Sequence, residues 1–185
     1  PLRVFANDSS LIAEFGEKRR TPLEYANIPK PLIQAFLAAE DARFYEHPGV
    51  DYQGILRAIG YLIRHGERGP GGSTITMQVA RNFFLSREKT YLRKFNEILL
   101  SLKTEKELDK NKILELYLNR IYLGNRAYGV GAAAQVYYGK KVEDLTLAQM
   151  ATIAALPKAP STLNPIANPS RSLTRRAYVL GRMIK

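Results

Sequence analysis

Apolar residues recur at helical spacing along most of the chain and in strand-like runs only near its start. Two short stretches, Arg3 to Ala6 and Leu11 to Phe15, flank the turn-forming run Asn7-Asp8-Ser9-Ser10 and predict a small hairpin. From Pro31 onward Ile33, Phe36, Leu37, Glu40 and Phe44 fall on one side of a helix that His47-Pro48-Gly49 stops. A second amphipathic helix, 51–65, places Ile55, Ile59, Leu62 and Ile63 on one face and Arg57 and Arg64 opposite. Such a face suits either a core or a membrane interface.

Gly66-Glu67-Arg68-Gly69-Pro70-Gly71-Gly72 cannot hold regular structure and is expected to be a mobile loop. Ser73 or Thr74 then caps a helix through Phe84, and a further helix near 88–103 repeats Leu92, Phe95, Leu99 and Leu102. Asn111 to Leu123 is another, closed by Gly124. Thr146 with Gln149 forms a capping box for a helix ending before Pro157. Pro160, Pro165 and Pro169 punctuate a loop before a final basic helix. The pattern predicts a mainly α fold with a minor hairpin, in one domain.

Composition narrows the function. The 185 residues carry 28 Lys+Arg against 17 Asp+Glu, a net charge of +11, with 45% hydrophobic residues, which excludes a disordered polyelectrolyte. The absence of cysteine excludes disulfides and thiolate metal sites, and two histidines do not make a structural zinc site. No apolar run approaches the ~20 residues of a membrane-spanning helix. Pro1 and Lys185 read as cuts in a longer chain. Residues 145–185 lack Asp and Glu but carry Lys158, Arg171, Arg175, Arg176, Arg182 and Lys185, which implies a polyanionic partner such as nucleic acid, anionic lipid headgroups or a phosphorylated substrate.

Glu40 is the most informative single residue, because it stands in an apolar stripe where leucine would pack at no electrostatic cost. Desolvation there would favour the protonated form and suit a general base or acid; a structural Glu satisfied by Arg43 explains it equally. Asp41 points about 100° away around a continuous helix, so the two are not a close dyad. His47, at the helix end, fits a structural donor to a carboxylate better than a proton-transfer group. Glu97, with Arg93 and Lys94 before it and opposite the leucine stripe, reads as a solvated ion pair or as a carboxylate among cations in a phosphate-binding cleft.

The glycine-rich run into Ser73-Thr74 suggests anion binding at a helix start. It is no P-loop, since Gly72 stands where that motif needs lysine and an amphipathic helix precedes it. The basic residues are scattered, and many of the 11 tyrosines, among them Tyr117 and Tyr122, follow core spacing, so no nucleic-acid partner is expected.

Together the segments resemble the glycosyltransferase domain of class A penicillin-binding proteins and the related monofunctional peptidoglycan glycosyltransferases. The resemblance rests on Glu40-Asp41-x-x-Phe44-x-x-His47-x-Gly49, on Gly72-Ser73-Thr74-Ile75-Thr76-x-Gln78-x-x-x-Asn82, on Arg93-Lys94-x-x-Glu97, and on Lys112-Ile113-Leu114-x-x-Tyr117-Leu118-Asn119 with Gly124. Two positions depart from the family pattern: Gln149 where Glu is frequent, and Arg81 where Lys is frequent.

The resemblance implies a lysozyme-like, mainly α fold of two lobes with a cleft between them, the smaller and membrane-proximal lobe spanning residues 51–90. It implies polymerisation of lipid II into β-1,4-linked glycan at the outer face of the bacterial cytoplasmic membrane, with inversion and release of polyprenyl pyrophosphate. Glu40 would be the general base and Glu97 the second acidic residue. Asp41, Ser73, Thr74, Gln78, Arg81, Asn82, Lys89, Arg93 and Lys94 would bind substrate. Glu97 would help to hold a divalent ion such as Mg²⁺ if one takes part; no organic cofactor is expected. Partners would be lipid II, the growing strand and an anionic membrane, with a transmembrane helix and a transpeptidase domain elsewhere in the protein. The rivals are a lysozyme-like hydrolase or lytic transglycosylase, and a non-catalytic module that binds membrane or glycan.

Overall fold

A computed structural model describes residues 2–8, 11–15, 19–66, 72–85 and 90–184. In order, the elements are β1 (Leu2–Phe5), β2 (Leu11–Phe15), β3 (Arg19–Arg20), α1 (Lys30–Glu40), α2 (Tyr52–His65), α3 (Ile75–Phe84), α4 (Tyr91–Glu107), α5 (Lys110–Arg120), β4 (Ala127–Tyr128), α6 (Val130–Tyr138), α7 (Leu147–Ala155) and α8 (Pro169–Met183). The mainly α architecture with an N-terminal hairpin is therefore as expected. The chain forms two compact units, one of Pro1–Ala35 with Leu118–Lys185 and the other of Phe36–Tyr117.

In the first unit, β1 and β2 pair antiparallel with an irregularity between Val4 and Phe5, and the short β3 pairs in parallel with β4. Its core is built from small side chains: Ala132, Ala133 and Ala134 of α6, Ala151, Ile153 and Ala154 of α7, and Val179 of α8 are buried. Small residues let α7 and α8 approach closely. The Thr146–Gln149 capping box opens α7 as expected. Asn119 ties distant segments together, accepting from Leu23 N–H at 2.8 Å and donating to Leu23 C=O at 2.7 Å.

The helix expected to run on to Leu123 stops at Arg120. Beyond it the backbone folds back on itself, with Leu123 N–H bonded to Ala127 C=O at 2.9 Å and Gly129 N–H to Ile121 C=O at 2.8 Å. This reversal needs left-handed backbone at Gly124 (φ +86°), Asn125 (+44°), Arg126 (+62°) and Gly129 (+87°). The two glycines supply it without steric cost. Asn125 is held there by Asn164, whose amide donates to its side-chain oxygen at 2.9 Å.

The second unit packs Phe36, Phe44, Val50, Ile75, Met77, Val79, Ile113, Leu114 and Tyr117 into its core. Asp51 caps α2 by accepting from Gly54 N–H, and Thr74 caps α3 by accepting from Met77 N–H. Two expectations fail here. α1 stops at Glu40, because Asp41 turns its carboxylate inward and the chain continues as turns, with Phe44 N–H on Asp41 C=O and Glu46 N–H on Arg43 C=O. The stripe of α4 is also inverted: Leu92 is 71% and Phe95 58% exposed, whereas Glu97 and Ser101 are fully buried. α4 turns its small and polar side inward, where Gly49 approaches so closely that a Cβ there would lie 2.9 Å from Ser101 C=O. α2 likewise buries no residue, so its apolar face does not serve a core.

Candidate active site

Ten of the eleven expected site residues lie in the second unit among described residues; Lys89 lies outside them, as do residues 67–71 of the glycine-rich loop. Glu40 ends α1 half-buried, and its carboxylate accepts from the Gln78 side-chain amide at 3.1 Å. Arg43 does not serve it in the way the structural alternative required, for its guanidinium is taken by Glu46 at 2.9 Å, by Asp51 at 3.5 Å and by Gln53.

Asp41 is buried and accepts from His47 Nε2 at 3.0 and 3.1 Å and from Ile75 N–H at 2.9 Å. His47 Nδ1 accepts from Gly49 N–H at 3.2 Å, so the ring proton sits on Nε2, facing the carboxylate. His47 is thus the structural donor the sequence favoured. Since the Ile75 N–H is at the first turn of α3, Asp41 fixes that helix relative to the end of α1. Thr74 adds a second tie by donating to Gly49 C=O at 2.6 Å.

α3 thereby presents Gln78, Arg81 and Asn82 at i, i+3 and i+4, along one side. Gln78 is buried; Arg81 and Asn82 are half-buried. On α4, Arg93 donates to Glu97 Oε2 at 2.7 Å and Lys94 to Oε1 at 2.9 Å, and Lys94 also donates to Ser73 Oγ at 2.8 Å. With 0% exposure at its side chain, Glu97 is not the solvated pair of an ordinary helix surface. Removing one member of such a buried cluster leaves an uncompensated charge. Arg93 Nε is buried without a hydrogen-bond partner, a donor still available to a ligand.

Both Glu97 oxygens face cations, Arg93 at 2.7 Å and Lys94 at 2.9 Å, and no group of three His, Cys, Asp or Glu that could by itself hold a metal occurs among the described residues.

Sequence reading missed two parts of the site. Glu105 accepts from Thr76 Oγ1 at 2.6 Å and from Lys110 at 2.8 Å, while Lys110 also donates to His47 C=O at 2.7 Å and lies 4.4 Å over the Phe44 ring. This network joins the ends of α3, α4 and α5 to the His47 turn; the Glu105–Lys110 spacing of five crosses a helix break and gives no periodic signal. The second is Tyr117. Burial pushes its phenol well above its ordinary pKa, Glu40 adds to the rise, Arg81 opposes it and Asp41 adds again. One hydroxyl thus feels Glu40, Asp41 and Arg81 together.

The site combines a hydrogen-bonded carboxylate that can take a proton with a cationic cluster that can receive an anion, on a single unit. A family model described as Transglycosylase matches residues 8–184. The chain belongs to the transglycosylase family and is a peptidoglycan glycosyltransferase domain. It is similar to penicillin-binding protein 1A of Pseudomonas aeruginosa, 58% identical over 185 residues that cover 100% of this chain and 22% of that one. Penicillin-binding protein 1A of Escherichia coli (strain K12) is 55% identical over 184 residues, covering 100% and 22%. Among solved structures, the crystal structure of penicillin-binding protein 1A from Haemophilus influenzae matches with a TM-score of 0.54 at 35% identity, over 98% of this chain and 17% of that chain. The chain thus spans 22% of the length of these curated relatives.

Proposed function

We propose that this domain polymerises lipid II into β-1,4-linked glycan, with Glu40 as general base. The observation that carries the reading is the joining of base and cations through one helix: α3 donates Gln78 to the Glu40 carboxylate and carries Arg81 one turn further on. An acceptor sugar hydroxyl is a poor nucleophile. As its oxygen attacks the anomeric carbon of the donor, Glu40 takes the hydroxyl proton, the bond from that carbon to the pyrophosphate oxygen breaks, and configuration inverts. The electron pair leaves with polyprenyl pyrophosphate, which is already a stable anion and requires cations rather than an acid. Lys94, Arg93 and Arg81 supply them, with Lys89 from the neighbouring segment. Ser73, Thr74 and Asn82 complete the polar lining, and Asp41 and Glu97 hold the framework and the cations in place.

The substrates are lipid II and the growing strand, and the setting is the outer face of the bacterial cytoplasmic membrane. Support for the membrane comes from α2, the end of α3, and α4. Ile63 is 80% and Leu92 71% exposed, and Leu56, Phe84 and Phe95 are also open, which in a water-soluble surface would be a liability. No helix among the described residues is long and apolar enough to cross a membrane, so these faces would lie on it. A transmembrane helix and a transpeptidase domain belong, on this reading, to the length by which the relatives exceed the chain.

The test is incubation of the intact protein with purified lipid II and, separately, with preformed glycan. Polymer from lipid II, abolished by Glu40→Gln with lipid binding retained, is the expected result. Breakdown of preformed glycan without polymer would transfer the site to a lysozyme-like hydrolase; unaffected function in Glu40→Gln would make it a non-catalytic binding module.

A further inference from the structure

Tyr117 on α5 is fully buried, with its ring edge-on to Phe36 at a centroid separation of 6.0 Å and an angle of 84°. Phe36 and Glu40 are i and i+4 on α1, so the residue that the ring packs against shares a side of that helix with the carboxylate. The Tyr117 hydroxyl is buried and has no hydrogen-bond partner among the described residues. A buried donor left unmatched forfeits its hydration with no return, and phenylalanine would fill the same space without that penalty. The charged groups that act on this hydroxyl are Glu40 at the end of α1, Asp41 just beyond it and Arg81 from α3. Asp41 is already bound to His47 and to the Ile75 N–H, and on α4 Glu97 is covered by Arg93 and Lys94.

Resting on the reading of Glu40 as the base, we infer that Tyr117 is a positioning residue: with substrate in place, its buried O–H donates to the Glu40 carboxylate. This bond, together with that from Gln78, fixes which oxygen faces the acceptor hydroxyl. Burial keeps the phenol protonated far beyond neutrality, so it acts as a donor and does not compete for the proton. A donor to the ionised carboxylate favours that form, and its loss raises the proton affinity of the base.

The experiment is Tyr117→Phe in the intact protein, followed by polymerisation of purified lipid II across pH and by thermal melting. The expected result is kcat lower by roughly tenfold with KM within about twofold, and an acid limb of the kcat profile, which reports the substrate complex, moved up by about half to one pH unit. The melting midpoint should stay or rise, because the hydroxyl has no partner to lose. In a Glu40→Gln background, Tyr117→Phe should have no further effect. Wild-type kcat with an unmoved limb would overturn the inference and leave Tyr117 a packing residue, as would a lowered midpoint with an equal loss at every pH. Full polymerisation by Glu40→Gln itself would overturn the reading of the base, a result that Tyr117→Phe alone cannot produce.

Discussion

The His47 ring stands between Asp41 and Gly49, giving its Nε2 proton to the carboxylate at 3.0 Å and accepting the Gly49 N–H on Nδ1 at 3.2 Å. This fixes the tautomer and leaves the ring no free nitrogen for proton transfer. The Asp41–His47 pair therefore belongs to the scaffold, and the proposed base is Glu40, one residue earlier.

Asp41→Asn keeps the shape but offers one oxygen to two buried donors, the His47 ring and the Ile75 N–H. With that oxygen kept at Oδ2, the new amide NH2 stands where Oδ1 accepted from His47 at 3.0 Å, a donor facing a donor, at a cost of about 1–3 kcal/mol. The expected outcome is a melting midpoint lower by several degrees, together with reduced polymerisation as α3 loosens. A midpoint equal to wild type would show that the carboxylate does not hold that helix.

Lys94→Ala removes the cation shared by Glu97 and Ser73. In lipid II titrations KM should rise roughly tenfold, since a charge-assisted bond to phosphate is worth about 1.5–3 kcal/mol. Unchanged rates at every donor concentration would remove Lys94 from the site.

Much of this arrangement was legible in the sequence, and the failures share one cause. Caps such as Thr74 and the Thr146–Gln149 box depend on neighbours three residues away and were read correctly. Glu40, Gln78 and Glu97 stood out as polar residues in informative positions. The end of α1 was not legible, because Asp41 leaves the helix for partners 6 and 34 residues away. The inward side of α4 was misread for a related reason: periodicity identifies an apolar stripe but not whether protein covers it, and here Glu97 and Ser101 are the buried positions. Tyr117 looked like core and is core; only the partnerless hydroxyl distinguishes it.

Placing a charge on the open apolar faces separates membrane contact from folding. Ile63→Asp and Leu92→Asp should leave the melting midpoint within about 2 °C, as exposed substitutions change stability by at most about 0.5 kcal/mol. Sedimentation with anionic vesicles should fall severalfold. Undiminished vesicle binding by both variants would refute a membrane role for these helices.

Tyr137 gives the first unit an alkaline limit. Burial, assisted by Tyr122 and Tyr138, pushes its phenol from 10.0 to about 12, and its O–H donates to Leu123 C=O at 2.7 Å. The folded state holds this proton more tightly than the unfolded one, so its contribution is complete below pH 10.0 and disappears as pH climbs to about 12. Urea unfolding across that interval should show a fall in stability that Tyr137→Phe blunts. An equally steep fall in the variant would assign the loss to other groups.

The division of the chain also has a consequence for biosynthesis. Phe36–Tyr117 is continuous, whereas Pro1–Ala35 finds its companions only in Leu118–Lys185, as the bond between Leu23 and Asn119 illustrates. A ribosome delivers residues in order, so the segment bearing Glu40 and Glu97 is complete while β3 still awaits β4 and Leu23 still awaits Asn119. The residues just before that segment therefore wait longest for the neighbours that complete their unit, where a chaperone has the most to protect.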